Sequence, residues 1–137
     1  MTEMGIGARA LRKEDRRFLT GKGNYCDDMN LQGQLYAHFV RSQEAHAEIK
    51  KVDIAKAAKA PGVIAIYTGT DVAADNIGGL PCGWGITGKG GAQMHEPPRP
   101  ILAQGKVRHV GEPIAVVIAE TKKQAKAAAA LINVSLA

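Results

Sequence analysis

Gly83-Trp84-Gly85-Ile86-Thr87-Gly88-Lys89-Gly90 comes within one residue of the pattern G-x-x-x-x-G-K-[ST]. A phosphate-gripping loop needs glycines so that backbone N–H groups can converge on the anion. It also needs a Lys for the terminal phosphates and a hydroxyl for Mg²⁺. Gly90 stands where the hydroxyl belongs. Gly78-Gly79-Leu80-Pro81-Cys82 ahead of the motif reads as no strand, and Gly90-Gly91 starts no helix. The same glycines spell G-x-G-x-x-G, and Gly5-Ile6-Gly7-Ala8-Arg9-Ala10 spells its G/A variant, each without the preceding strand that a dinucleotide site requires. Nucleotide binding is not expected from either.

His46-Ala47-Glu48 followed by Pro81-Cys82 imitates a zinc deaminase, in which H-x-E precedes P-C-x-x-C and the Glu moves protons. The second Cys would fall at position 85, which is Gly85. One His and one Cys fall short of the three protein ligands a catalytic zinc takes. His38, His95 and His109 have no metal-ligand spacing. Ser42 and Ser135 are the only serines and neither lies in G-x-S-x-G. Cys82 would be reactive only beside a cation that lowered its pKa, and the sequence places none there.

The elements that would carry these residues follow from pattern and punctuation. Residues 1–34 read as an irregular, extended segment broken by Gly5, Gly7, Gly21, Gly23 and Gly33. Alternation over Leu35 to Val40 predicts a strand, with Ala45 to Val52 as its neighbour. Asp53 is placed to cap a helix over Ile54 to Ala60 that Pro61-Gly62 ends. Val63 to Thr68 reads as a buried strand between Gly62 and Gly69. Residues 76–105 hold too many Gly and Pro for regular structure, and so long a loop points to function. Strands are expected over Lys106 to Val110 and Ile114 to Ala119. A helix capped by Thr121 follows from Lys122 to about Leu131, and a last strand begins at Ile132. The predicted architecture is a single α+β domain over 35–137 preceded by the extended arm: one small mixed sheet, two main helices and a long loop.

Composition fits that picture. The chain has 137 residues, 45% hydrophobic and 23% charged, which suits one globular domain rather than a disordered chain. Its formal charge is +5, but Arg9, Arg12, Lys13, Arg16 and Arg17 are interrupted by Glu14 and Asp15. With three Tyr, two Phe and one Trp there are few base-stacking platforms, so nucleic acid is not an expected partner. Cys26 and Cys82 suit a reducing compartment, no leader-like apolar run opens the chain, and no stretch is long enough to span a bilayer. The expected location is the cytoplasm.

Three segments carry a family resemblance. Gly7-Ala8-Arg9 with Arg12 through Asp28 resembles the opening of a molybdenum hydroxylase large subunit. Gly33-Gln34-Leu35, Val40-Arg41-Ser42 and Ala45-His46-Ala47 resemble that family's G-x-L-x-x-x-x-V-R-S-x-x-A-H-A segment. Ile101-Leu102-Ala103, Val107-Arg108-His109-Val110-Gly111-Glu112-Pro113 and Ile114 to Thr121 resemble its L-A-x-x-x-V-R-x-V-G-E-P-V-A-x-V-x-A-E-T segment. The chain is thereby identified as a member of the xanthine dehydrogenase and aldehyde oxidase family, on its aerobic carbon monoxide dehydrogenase-like branch.

The resemblance implies an N-terminal α/β-hammerhead domain, a scaffolding and subunit-contact part that is not catalytic by itself. It implies a much longer parent that holds molybdopterin, in its cytosine dinucleotide form, with FAD and two [2Fe–2S] clusters on partner subunits. No cofactor-holding motif of the family matches a position here, so no catalytic, cofactor-binding or metal residue is assigned. The family usually continues the last strand as V-x-Y-E, where this chain has Val134-Ser135-Leu136-Ala137. A piece of a large subunit or a shortened stand-alone protein is expected. The alternative is a free-standing small-molecule or protein binding module that reuses the fold, with the 76–105 loop as its binding element. Expected partners are the rest of the large subunit, the FAD and iron–sulfur subunits, and a second copy in a homodimer.

Overall fold

A computed structural model of the chain describes residues 6–7 and 12–137. These divide into two compact units, residues 1–34 and 35–137. The Gly5 to Ala10 motif lies largely outside the described residues.

The first unit is more ordered than its glycines predict. Asp15–Leu19 forms a short helix, α1, with Asp15 in its first turn, where the helix dipole favours a negative charge. Ion pairs three residues apart brace it, Arg12 to Asp15 at 3.0 Å and Arg17 to Glu14 at 2.9 Å. The Phe18 and Tyr25 rings stack with centroids 5.5 Å apart. A 3-10 turn over Cys26–Asp28 follows, its Asp28 carboxylate accepting the Tyr25 N–H at 2.9 Å.

In the second unit the strands are β1 (Tyr36–Arg41), β2 (Ala47–Asp53), β3 (Val63–Thr68), β4 (Lys106–Val107), β5 (Pro113–Ala119) and β6 (Asn133–Leu136). They form two three-stranded sheets, β1-β5-β3 and β4-β2-β6, rather than one mixed sheet. Every pairing among the described residues is antiparallel. β1 and β2 are not neighbours, contrary to the sequence expectation. Ser42, which leaves β1, gives its N–H to Glu112 O at 2.9 Å and takes the Gly111 N–H at 2.8 Å. The chain is thus held to the turn before β5 and does not fold back as a hairpin. β5, the most continuous apolar run, takes the centre of its sheet, where both neighbours cover it.

β4 is shorter than expected because the Arg108 N–H goes to the Glu112 carboxylate instead of to a strand partner. The segment expected to be a helix over 54–60 holds only a 3-10 turn, Ala57–Lys59, although Asp53 does accept the Ala55 N–H at 3.1 Å. A helix absent from the sequence reading, α2, runs over Gly69–Ala74. Asp71 accepts both the Thr68 N–H and the Thr68 hydroxyl at 2.7 Å, the carboxylate half of a capping box. Gly69 is the residue that fits there, because a Cβ would lie 2.0 Å from Ala103 O. The third helix, α3 (Lys122–Ala129), starts as predicted, with Thr121 Oγ1 accepting the Gln124 N–H at 3.2 Å. It ends short of Leu131.

Two clusters make the core. Ala128 and Ala129 of α3 pack on Val117, with Val40, Val63, Ile66 and Ile132 around them. Ala47, Ala103, Val107 and Ile114 form the second cluster, closed by Ile49, Val52, Val134 and Leu136. Small residues dominate the first cluster, so helix and sheet approach closely.

Candidate functional site: a saturated junction and an open groove

Two of the segments that carried the resemblance meet in space. Arg41 and Ser42, at the end of β1, lie against the turn Arg108-His109-Val110-Gly111-Glu112 before β5. Ser42 is 2% exposed, and its hydroxyl is committed to Glu44, donating to the carbonyl at 2.8 Å and accepting the N–H at 3.0 Å. Both of those partners are backbone groups, so the hydroxyl serves the turn. Glu112 is buried; its carboxylate takes the Arg108 N–H, with the Arg108 guanidinium at 3.5 Å and His109 Nδ1 at 3.9 Å. Arg41 Nη1 donates to Gly111 O at 2.9 Å, and Gly111 adopts φ +85°, a conformation that suits glycine. Among the described residues no buried side-chain nitrogen or oxygen lacks a partner. This junction binds the chain to itself.

The other sequence motifs do not assemble. Gly88 gives its N–H to Ala92 O at 2.8 Å, and Gly91 gives its own to Gly88 O at 3.1 Å. The Gly88 amide is thus spent on the chain, and Lys89 opens only a 3-10 turn, Lys89–Gly91, rather than the helix a phosphate loop leads into. His46 is exposed just before β2, Glu48 pairs with Lys50, and the Cys82 thiol donates to Trp84 O at 3.3 Å. His38 is half-buried in β1, while His95, Cys26 and Ser135 are exposed. Among the described residues no three His, Cys, Asp or Glu side chains gather where a metal could sit.

The feature the sequence did not announce is a groove of about 620 Å³ on the β1-β5-β3 sheet. Its floor is a cross-strand rung, because Val116 of β5 is in register with both Phe39 of β1 and Tyr67 of β3. Phe39 and Tyr67, on either side of Val116, are 43% and 47% exposed, unusual for two aromatic rings on one rung of a sheet. α2 forms one wall through Asp71, Val72 and Asp75, and Ile77, Leu80 and Ile101 add an apolar rim. Arg41 lines the opposite side, its guanidinium 5.5 Å from the Phe39 ring centroid. The Thr68 hydroxyl and N–H hold the Asp71 carboxyl below the ordinary carboxylate value. The Lys51 ammonium and the Ala55 N–H do the same for Asp53 outside the groove. Two signals could have revealed the groove. β1 carries apolar residues on both faces, Phe39 beside Val40, and Thr68-x-x-Asp71 announces a helix start.

The pattern of the aldehyde oxidase and xanthine dehydrogenase a/b hammerhead domain matches residues 20–137. Over 136 residues the chain is 39% identical to the nicotine 6-hydroxylase large subunit of Paenarthrobacter nicotinovorans, covering 99% of this chain and 16% of that protein. It is 39% identical over 130 residues to the carbon monoxide dehydrogenase large chain of Afipia carboxidovorans, covering 95% of this chain and 15% of the relative. The crystal structure of quinoline 2-oxidoreductase from Pseudomonas putida 86 superimposes with a TM-score of 0.80 at 38% identity, over 93% of this chain and 16% of that one. The chain belongs to the aldehyde oxidase and xanthine dehydrogenase hammerhead family, as the three sequence segments indicated. It spans about a sixth of the length of these relatives.

Proposed function

We propose that residues 35–137, with 1–34 as an arm, form the scaffolding and subunit-contact domain of a molybdenum hydroxylase large subunit and do no chemistry alone. The observation that carries this reading is the contrast within the molecule: family-motif residues at the junction bond to one another, while a sheet face built from Phe39, Val116 and Tyr67 stays open. Active sites hold polar groups ready for a substrate, whereas contact surfaces expose apolar ones.

The cofactors of the parent do not fit this chain's donors. Cys26 and Cys82 are its only thiols, and an iron–sulfur cluster takes four ligands. Molybdopterin in its cytosine dinucleotide form belongs to the remainder of the large subunit, and FAD and [2Fe–2S] clusters to partner subunits, in the cytoplasm. Purified alone, the chain is expected to hold no stoichiometric molybdenum, iron, zinc or flavin and to self-associate weakly through its open face, as a dimer. Co-expression tests the reading. The tagged chain is produced with the nicotine 6-hydroxylase large subunit lacking its matched N-terminal region. Co-purification of the two pieces is the expected outcome. A monomeric chain that ignores that remainder would favour a free-standing binding module, for which the groove volume lies in the range of small-molecule sites.

A further inference from the structure

Resting on the scaffolding reading above, we propose what fills the groove: an extended, apolar and basic segment of the large-subunit remainder. One of its apolar side chains lies on the Phe39–Val116–Tyr67 rung, and a Lys or Arg reaches Asp71 and Asp75.

Three observations select this occupant. First, α3 covers only one face of the β1-β5-β3 sheet, and the other presents its rung and the rim residues Ile77 and Leu80 to solvent. Other large apolar side chains such as Trp84 and Val110 are exposed too, but here they line one concave surface rimmed by charge, which marks an interaction site. Second, the matched relatives continue for several times the length of this chain. A segment of the same polypeptide meets the groove at high effective concentration, so even a short, weak contact is populated. Third, the α2 wall is acidic although the chain is basic; Arg41 on the opposite side is turned to Gly111 O and the Phe39 ring. The protein is +5 overall, yet α2 carries Asp71 and no basic residue, with Asp75 at its end. The ion pairs among the described residues lie elsewhere; the Asp71 carboxylate keeps its charge while it accepts from Thr68, and Asp75 at the helix end meets an incoming cation first. A second copy is the weaker occupant, since two bodies of +5 repel as they approach.

The co-expressed pair supplies the test. Phe39→Thr removes the aromatic floor and keeps a strand-forming residue; Asp75→Lys reverses the wall charge at an exposed helix end where the fold tolerates it. Each variant is expected to melt like the parent chain and to capture about tenfold less of the remainder, as loss of an anchor does. Capture by the parent chain is expected to weaken between 50 and 500 mM NaCl, and capture by Asp75→Lys to be nearly salt-independent. In the co-purified complex, hydrogen exchange is expected to slow at residues 36–41 and 63–77. Capture unchanged by both variants overturns the groove and leaves the scaffolding reading standing. No capture by the parent chain overturns the scaffolding reading itself. Groove variants that turn a dimer monomeric while capture persists make a second copy the occupant and overturn the proposal.

Discussion

The two faces of the β1-β5-β3 sheet are built from the same three strands and have opposite characters. Toward α3 the residues are small and interlocked: Val117 fully buried, Ala128 and Ala129 against it, Val40 and Ile66 at the edges. Toward the groove they are large and half exposed. Alternation along a strand sends neighbours such as Val40 and Phe39 to opposite sides. Where a helix of the same chain covers the sheet, the helix presents alanines, Ala128 and Ala129, to valine and isoleucine. A face that must meet something else retains wide apolar rings. Side-chain size therefore reports which contacts this domain completes itself.

Four substitutions sharpen that contrast. The largest effect is expected where both sheets are tied together: Ile114→Ala, at a position 2% exposed, should lower stability by roughly 2–5 kcal/mol in urea unfolding. Next is the closed face. Ala128→Leu forces new methylenes between α3 and Val117 and should cost roughly 1–3 kcal/mol. If that face were as loose as the groove, the leucine would be tolerated.

A smaller effect is expected at the groove wall. The Asp71 carboxyl titrates below the ordinary carboxylate range in the folded chain because Thr68 donates to it twice. Its contribution to stability is therefore full above the unfolded value and is lost as pH falls through the folded one. Asp71→Asn should be less stable than the parent at neutral pH, with the gap closing below about pH 4. A gap that widens on acidification would refute the assignment. The smallest effect belongs to the open face itself. Tyr67→Thr replaces one good strand former in β3 with another, β-branched one, and should move stability by no more than about 0.5 kcal/mol, while reducing self-association in sedimentation at tens of micromolar.

What could be read from the sequence was local. Val63–Thr68 and the Thr121 cap lie where pattern and capping chemistry put them, because each depends on residues within a few positions. The partition into two sheets was not legible. It is decided by Ser42 bonding to the turn at Gly111 and Glu112, across some seventy residues that no periodicity records. The groove escaped for the same reason: Phe39, Tyr67 and Val116 become one rung only once the register is set. At Gly83 to Gly90 the glycine spacing imitated a phosphate loop, but the missing strand and helix were legible from the same residues. Two of the three family segments, around Arg41-Ser42 and around Gly111-Glu112, sit at this long-range junction.

The order of strands in the two sheets also sets a timetable. β1 and β3 both wait for β5, and β2 pairs with β6, the last strand, where Glu48 and Ala137 exchange backbone hydrogen bonds at 2.7 and 3.0 Å. Contacts between such distant stretches are slow to form, since the intervening chain must be closed into a loop first. On a ribosome the first half of this domain emerges with no partner strand for any of its edges. Neither sheet is complete until nearly the whole domain has cleared the exit tunnel. During that interval the Phe39 and Tyr67 faces are loose strands in search of pairing, which is when a nascent chain is most prone to wrong associations.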